Sequence, residues 1–235
     1  MYDYGNWFLV ILNIVLFGYF LKSSFKPRTK TDWRTFSSFG AFIVALFAEM
    51  YGFPLTIYLL TSLFGTKLGI DFTHDNGHLL NTLLGIKGDP HFSSLHLISY
   101  ALIIGGFTLL GNAWEILYKA QKQHRLANEG VYGYIRHPQY LGFILIIFGF
   151  LVQWPTLITL LMAPILIWRY LRLAKLEERE IGKQFGRSYA TYIKRTPAFM
   201  PSPRAVIELI TGSQYTAKNS KGESYEESNH ALQER

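Results

Sequence analysis

The sequence predicts an all-α, multi-spanning membrane protein with about five transmembrane helices, a C-terminal helical hairpin and a helical cap on the cytoplasmic side. Three observations predict it. Hydrophobic residues make up 49% of the 235 positions and charged residues only 17%, against about 25% in an ordinary soluble domain. The apolar residues fall in long runs, not in the short alternations of strands. The net charge of +7 is concentrated between the runs, as in cytoplasmic loops. No cysteine is present, which excludes disulfides, thiolate metal sites and a cysteine nucleophile. The same composition argues against a nucleic-acid surface as the destination of the basic excess.

The first run, Tyr4 to Leu21, has no Lys or Arg before it and no small-residue cleavage site after it, so it reads as a permanent span, not a secretory signal. The second, Phe36 to Phe64, contains Glu49 and Pro54 and is counted as one span. The third runs from Leu95 to Tyr118. From Pro138 to Trp168 there are 31 residues without a charged side chain, with Gln153, Trp154 and Pro155 at the midpoint. That is too long for one span of about 20 residues. Proline disfavours helix at the residue before it and tryptophan favours the membrane interface. The run therefore reads as two helices turning at Gln153–Pro155, with both flanks on one membrane face. Each arm, at about 15 residues and 1.5 Å per residue, spans roughly 23 Å. Arg136-His137 and Arg169 are thus expected near the apolar boundary.

Charge orients the bundle. Lys22, Lys26, Arg28, Lys30 and Arg34 stand against Asp32 in one loop, and Lys119, Lys122, Arg125 and Arg136 against Glu129 in another. The segment Gly65 to Ser94 has only Lys67 and Lys87, with Asp71, Asp75 and Asp89. Basic loops stay cytoplasmic, which places the amino terminus outside and the C-terminal half inside, in an inner (plasma) membrane for a prokaryotic host. After Trp168 the chain becomes charged and helix-favouring. Gly186 punctuates it, a shorter helix is expected over Ser188 to Arg195, and another over Arg204 to Ile210. The residues from Thr211 onward have the composition of a disordered tail. Three regions result: 1–118, a three-helix membrane region; 119–201, the hairpin with its binding residues; and 202–235, the tail.

Two constellations could carry chemistry. In Gly130-Val-Tyr-Gly-Tyr-Ile-Arg-His-Pro-Gln-Tyr-Leu-Gly142, a helix start beside Arg136 and His137 can bind an anion, or merely anchor a helix to headgroups. Glu177-Glu178, followed by Phe185-Gly186, Tyr189 and Tyr192, can hold a cation, or merely form helix-surface ion pairs. The hairpin returns both to one face, and a site with an anion-binding and a cation-binding half suits a zwitterionic or cationic ligand. Elsewhere, Glu49 is expected mid-membrane, lining an acceptor pocket or pairing with a cation between helices. Glu115 reads as structural. His74 and His78 have i, i+4 spacing, but Asp75-Asn76-Gly77 between them predicts a turn, not a helical metal site, and His91 and His96 do not alter that reading.

The order and spacing of Gly130-Val-Tyr, Arg136-His-Pro-Gln-Tyr140, Gly142, the hairpin, Glu177-Glu178, Phe185-Gly186, Tyr189, Tyr192 and Pro197 resemble the isoprenylcysteine carboxyl methyltransferase family, whose wider group includes phospholipid N-methyltransferases. The resemblance covers about His124 to Pro201. It implies a membrane enzyme that uses S-adenosylmethionine at its cytoplasmic face, with His124, Arg125, Leu126, Ala127, Tyr132, His137, Pro138, Gln139 and Tyr140 lining the cofactor pocket. It further implies that Glu177 binds the cofactor with Glu178 beside it. A family arginine that contacts the acceptor maps most nearly to Arg172, one residue out of register. On physical grounds, Arg136, His137 and helix-start amides would take the cofactor carboxylate, Glu177 its ammonium, and the tyrosines its sulfonium. The reaction needs no metal. The acceptor is expected to be a lipid or a small membrane-permeant molecule carrying a carboxylate, thiol or amine. Two other readings compete: a sterol-type, NADPH-dependent membrane reductase, which shares the Arg-His-Pro turn but usually has Asn at the position of Gln139 and lacks the Glu-Glu spacing, and a non-catalytic scaffold or transporter.

Overall fold

The computed structural model describes residues 4–24, 30–68 and 74–201; the expected helix at 204–210 and the tail lie outside them. Among the described residues the secondary structure is helical, without strands. The helices are α1 (Trp7–Ser24), α2 (Lys30–Phe47), α3 (Leu55–Leu68), α4 (Leu79–Leu83), α5 (Ser94–Lys122), α6 (Val131–Tyr134), α7 (Pro138–Gln153) and α8 (Leu157–Arg195). Three stretches are long and apolar enough to cross a membrane, Trp33–Gly52, Ser94–Lys122 and Leu157–Arg195, and Trp7–Phe20, Leu55–Gly65 and Pro138–Gln153 are shorter apolar helices. The outward faces are apolar too, with Phe8, Ile11, Tyr19, Ile104 and Leu161 exposed, as suits helices bathed in hydrocarbon.

The hairpin forms at the expected place. α7 ends at Trp154, and Thr156 caps α8 in a reciprocal capping box with Thr159. Trp154 differs from expectation: it is buried, not interfacial, because Gly77 and the His78 ring cover it, the ring centroids lying 4.8 Å apart. A Cβ on Gly77 would lie 1.9 Å from the indole, so only glycine fits there. α5 runs antiparallel to α7 at close range. Its Ser99 hydroxyl donates to Gln153 at the turn end (2.9 Å), and Gly106 meets Gly142 and Ile146 midway. Small residues let the two backbones approach, the usual device where lipid supplies no hydrophobic drive between helices. α2 packs against α8, and Phe39, Phe42, Phe143 and Tyr170 fill the centre of the bundle.

The second apolar run is not one continuous helix. It breaks at a π-helical turn, Ala48–Gly52, and an extended Phe53 before Pro54, and resumes as α3. Proline lacks the amide that would continue the ladder and pushes its predecessor to extended backbone. α3 begins at the turn end, where Thr56 Oγ1 accepts the Leu157 amide (2.8 Å), and the chain is back at Trp154 by Gly77. Glu49 is buried, and beside the two roles expected of it the structure shows a third: its Oε2 accepts the Thr56 amide (2.9 Å) in the first turn of α3 and so caps that helix start.

Candidate cofactor site

At the other end of the hairpin the two constellations meet. Pro138 opens α7 with His137 as its N-cap residue. On α8, Glu177 and Glu178 lie past the apolar half, which ends at Trp168; from Arg169 onward the helix is charged. Arg136 Nη2 lies 2.8 Å from Glu178 Oε1, and Arg136 Nε donates to the same oxygen at 2.9 Å. His137 Nε2 is 3.0 Å from Glu178 Oε1, while its Nδ1 is 3.8 Å from Glu177 Oε2. Glu177 accepts from the Tyr140 hydroxyl (2.6 Å) and from Gln139 Nε2 (3.4 Å), and Gln139 Oε1 in turn accepts from the Tyr132 hydroxyl (3.0 Å).

A bend closes the arrangement from the far side. Gly186 interrupts α8 at φ 49°, ψ −116°, a conformation that L side chains rarely adopt. The following turns fold back so that the Tyr192 hydroxyl donates to the Tyr132 carbonyl (2.6 Å). Past α8, the carbonyls of Pro197 and Ala198 accept the amides of Arg136 and His137 (2.9 and 3.0 Å). Arg136 Nη1 donates to the Thr196 carbonyl (2.7 Å).

A cavity of about 250 Å³ lies between these parts. His124, Arg125, Leu126, Ala127, Tyr132, Arg136, His137, Gln139 and Glu177 of the expected set line it, together with Glu180, Gln184, Phe185, Tyr189 and Tyr192. Pro138 and Tyr140 stand behind the wall, Tyr140 acting through Glu177. Sequence reasoning missed Glu180 and Gln184, which lie three and seven residues past Glu177, the spacing of one helix face.

The remaining site residues fall as follows. Arg172, expected to contact the acceptor, is exposed, with its guanidinium 5.4 Å from the Trp168 ring centroid; it lies outside the donor cavity, five residues before Glu177 and about 140° around the helix. Glu178 Oε1 is held by Arg136 and His137, which ties α8 to the start of α7. The amides of Arg136 and His137 are already bonded, which removes them as carboxylate donors. Burial lowers the pKa of His137, with Glu178 opposing and Arg136 assisting that shift. For Glu178, burial raises the pKa, but hydrogen bonds from His137 and Arg136 outweigh it and hold the carboxyl below its usual range. Burial also raises the phenols of Tyr189 and Tyr192, keeping both neutral.

The cavity therefore presents the carboxylates Glu177 and Glu180 among phenol and phenyl rings, which suit a cationic group, with the guanidiniums of Arg125 and Arg136, paired to Glu129 and Glu178, in the same wall. It fits S-adenosylmethionine in charge: that molecule carries an ammonium and a sulfonium against one carboxylate.

At the turn end, the structure gathers three histidines that the sequence left apart. The rings of His78, His91 and His96 lie 4.9 to 5.3 Å from one another. Among the described residues, however, no three His, Asp or Glu side chains are arranged to hold a metal ion.

Residues 93–182 match the model of the isoprenylcysteine carboxyl methyltransferase family. The matched stretch begins earlier than the motifs suggested and stops before Phe185-Gly186. The chain is 31% identical over 84 residues to a protein-S-isoprenylcysteine O-methyltransferase of Schizosaccharomyces pombe, covering 35% of this chain and 36% of that one. It is 32% identical over 87 residues to protein-S-isoprenylcysteine O-methyltransferase B of Arabidopsis thaliana, covering 37% and 44%. With the Mus musculus protein-S-isoprenylcysteine O-methyltransferase it shares 35% over 89 residues, 37% and 31% of the two chains. The similarity thus spans less than half the length of each of these relatives. No solved structure matches the chain. The resemblance read from the Arg-His-Pro and Glu-Glu motifs is borne out over the stretch that builds α5, the hairpin and the acidic pair.

Proposed function

We propose that this chain is an integral-membrane methyltransferase that takes its methyl group from S-adenosylmethionine held in the Glu177 cavity. The observation that carries the reading is Glu177 itself. It is a carboxylate fixed by Tyr140 and Gln139 at the wall of a cavity ringed by Tyr132, Phe185, Tyr189 and Tyr192. Two further observations support it: the family match over 93–182 and the printed names of the relatives.

S-adenosylmethionine supplies an electrophilic methyl group on a sulfonium, so no metal is required. The residues here bind and orient. Glu177 takes the ammonium, and the tyrosine faces lie against positive charge. Gln121, Gln139 and Gln184 offer neutral amide donors for a carboxylate, and the His124 ring stands beside them. Arg136, His137 and Glu178 lock the start of α7 to α8 and keep the Glu177 partners in place. Positioning and exclusion of water supply the acceleration.

The acceptor in this reading is a lipophilic or small membrane-permeant molecule bearing a carboxylate, thiol or amine. The relatives' names specify an isoprenylcysteine, which is one such carboxylate. Residues 1–118, mostly outside the family match, are assigned to acceptor selection, and 119–201 to the donor. The amino terminus faces outside and the donor cavity the cytoplasm.

The test is calorimetric titration of the detergent-purified protein with S-adenosylhomocysteine, followed by transfer of label from radiolabelled S-adenosylmethionine into lipid extracts. Binding in the micromolar range, weakened at least about tenfold by Glu177→Gln, is expected for the loss of one charge-assisted contact. A folded protein that binds nothing, with Glu177→Gln indistinguishable from it, overturns the reading.

A further inference from the structure

A second cavity lies outside the donor site, between α2 and α8. Trp33, Arg34, Ser37, Ser38 and Ala41 of α2 and Arg169 of α8 line a shallow recess of about 400 Å³. We infer that this recess holds the phosphodiester headgroup of an anionic phospholipid, gripped between Arg34 and Arg169. This rests on none of the methyl-transfer reasoning.

Four observations carry it. First, two guanidiniums from different helices line one recess. Arg169 is half-buried, and among the described residues neither arginine has a carboxylate partner. Arg34 is exposed, and an anion between the two guanidiniums would relieve their mutual repulsion. Second, the recess sits at the depth where headgroups lie. Arg169 is the first charged residue after the 31 charge-free positions of the hairpin, and Trp33-Arg34 precede the apolar part of α2. Trp33 is 55% exposed, as expected of an interfacial tryptophan. Third, guanidinium matches phosphate in shape and bonds it bidentately, which ammonium does not. The serines do not compete for this role. Ser37 and Ser38 already donate to the carbonyls of Trp33 and Arg34 (2.9 and 2.6 Å). Fourth, the sequence just before Trp33 carries Lys22, Lys26, Arg28 and Lys30 against Asp32, a net positive charge that favours an anionic leaflet over a zwitterionic one.

Native mass spectrometry of delipidated protein offered equal amounts of phosphatidylglycerol and phosphatidylcholine tests the site. The wild type is expected to retain phosphatidylglycerol preferentially, by about fivefold for each arginine engaged. Arg34→Gln/Arg169→Gln should abolish the preference, whereas Lys175→Ala, an exposed cation on the same helix, should keep it. If the double variant does not fold, the single variants decide, each expected to lose part of the preference. No preference in the wild type, or an equal one in the arginine variants, overturns the proposal. A thermal shift with inorganic phosphate that equals the shift with phosphatidylglycerol, and that needs both arginines, assigns the recess to a free anion and overturns the lipid.

Discussion

Glu177 and Glu178 are adjacent in sequence but differently engaged: Glu178 Oε1 is bound by Arg136 and His137, whereas Glu177, held by Tyr140 and Gln139, faces the cavity. One residue along a helix turns a side chain by about 100°, which is enough to send one carboxylate to the start of α7 and the other to the ligand. The pair is thus a brace and a binding group.

The two carboxylates should therefore fail differently. Glu177→Gln keeps the shape and the Tyr140 contact and is expected to lower S-adenosylhomocysteine affinity while the thermal midpoint changes little. Glu178→Ala leaves Arg136 without its carboxylate partner, a loss expected to cost about 2 kcal/mol of stability. Paired calorimetric titration and thermal unfolding in one detergent separate the outcomes. Equal loss of both properties in both variants contradicts the division.

Acidification should act in two windows. The folded pKa of His137 is depressed, so as pH falls below about 6.5, the usual imidazole value, the unfolded chain takes up a proton that the folded chain does not. Stability falls there until pH drops below the folded value. The folded pKa of Glu178 is also depressed. Its contribution is present above about 4.3, the usual glutamate value, and is lost as pH falls through the folded value. His137→Gln removes the upper step and keeps a donor for Glu178. Thermal midpoints between pH 8 and 4 should show a shallower upper slope in the variant, and superimposable slopes contradict the assignment.

The hairpin and the meeting of Arg136-His137 with Glu178 were legible because Trp154-Pro155 interrupts a run whose length already required a turn. The same proline signal stood at Pro54, but a single carboxylate nearby drew attention to Glu49 as a functional group. Its partner is the Thr56 amide, which leaves no mark in a charge pattern. Arg172 was chosen by register, and counting angle around α8 puts it on a different face from Glu177, outside the donor cavity. The Gly186 break could be read, but not its direction. The Tyr192–Tyr132 contact and the capping of α7 by Pro197 and Ala198 follow from that direction. His78, His91 and His96 meet through loops that have no period to read.

The α5–α7 contact sets where α7 begins and so where His137 and Tyr140 stand. A Cβ on Gly142 would lie 2.9 Å from the Gly106 carbonyl oxygen and 3.3 Å from Leu110 Cβ. Backbone cannot yield there, and Gly142→Leu is expected to destabilise by at least about 1–3 kcal/mol, the range for overpacking, with weaker S-adenosylhomocysteine binding. Gly105→Leu, one residue from Gly106 but with open space around its Cβ, should leave both near wild type. Thermal unfolding of the two variants side by side checks it, and equal midpoints count against this packing.

The bend at Gly186 tests the far wall without touching the ligand. Nothing lies within 4 Å of a Cβ built there, so Gly186→Ala introduces no clash. Its only penalty is φ 49°, ψ −116°, about 1–3 kcal/mol for a non-glycine residue in such a region. The helix can escape that strain by straightening, which carries Tyr189 and Tyr192 away from the cavity and breaks the Tyr192–Tyr132 bond. S-adenosylhomocysteine affinity should then fall more than the thermal midpoint does. Tyr192→Phe isolates the hydrogen bond and should give a smaller loss of affinity than Gly186→Ala. If Gly186→Ala binds as wild type while Tyr192→Phe does not, the bond matters without the bend, and α8 does not close the site by folding back at this glycine.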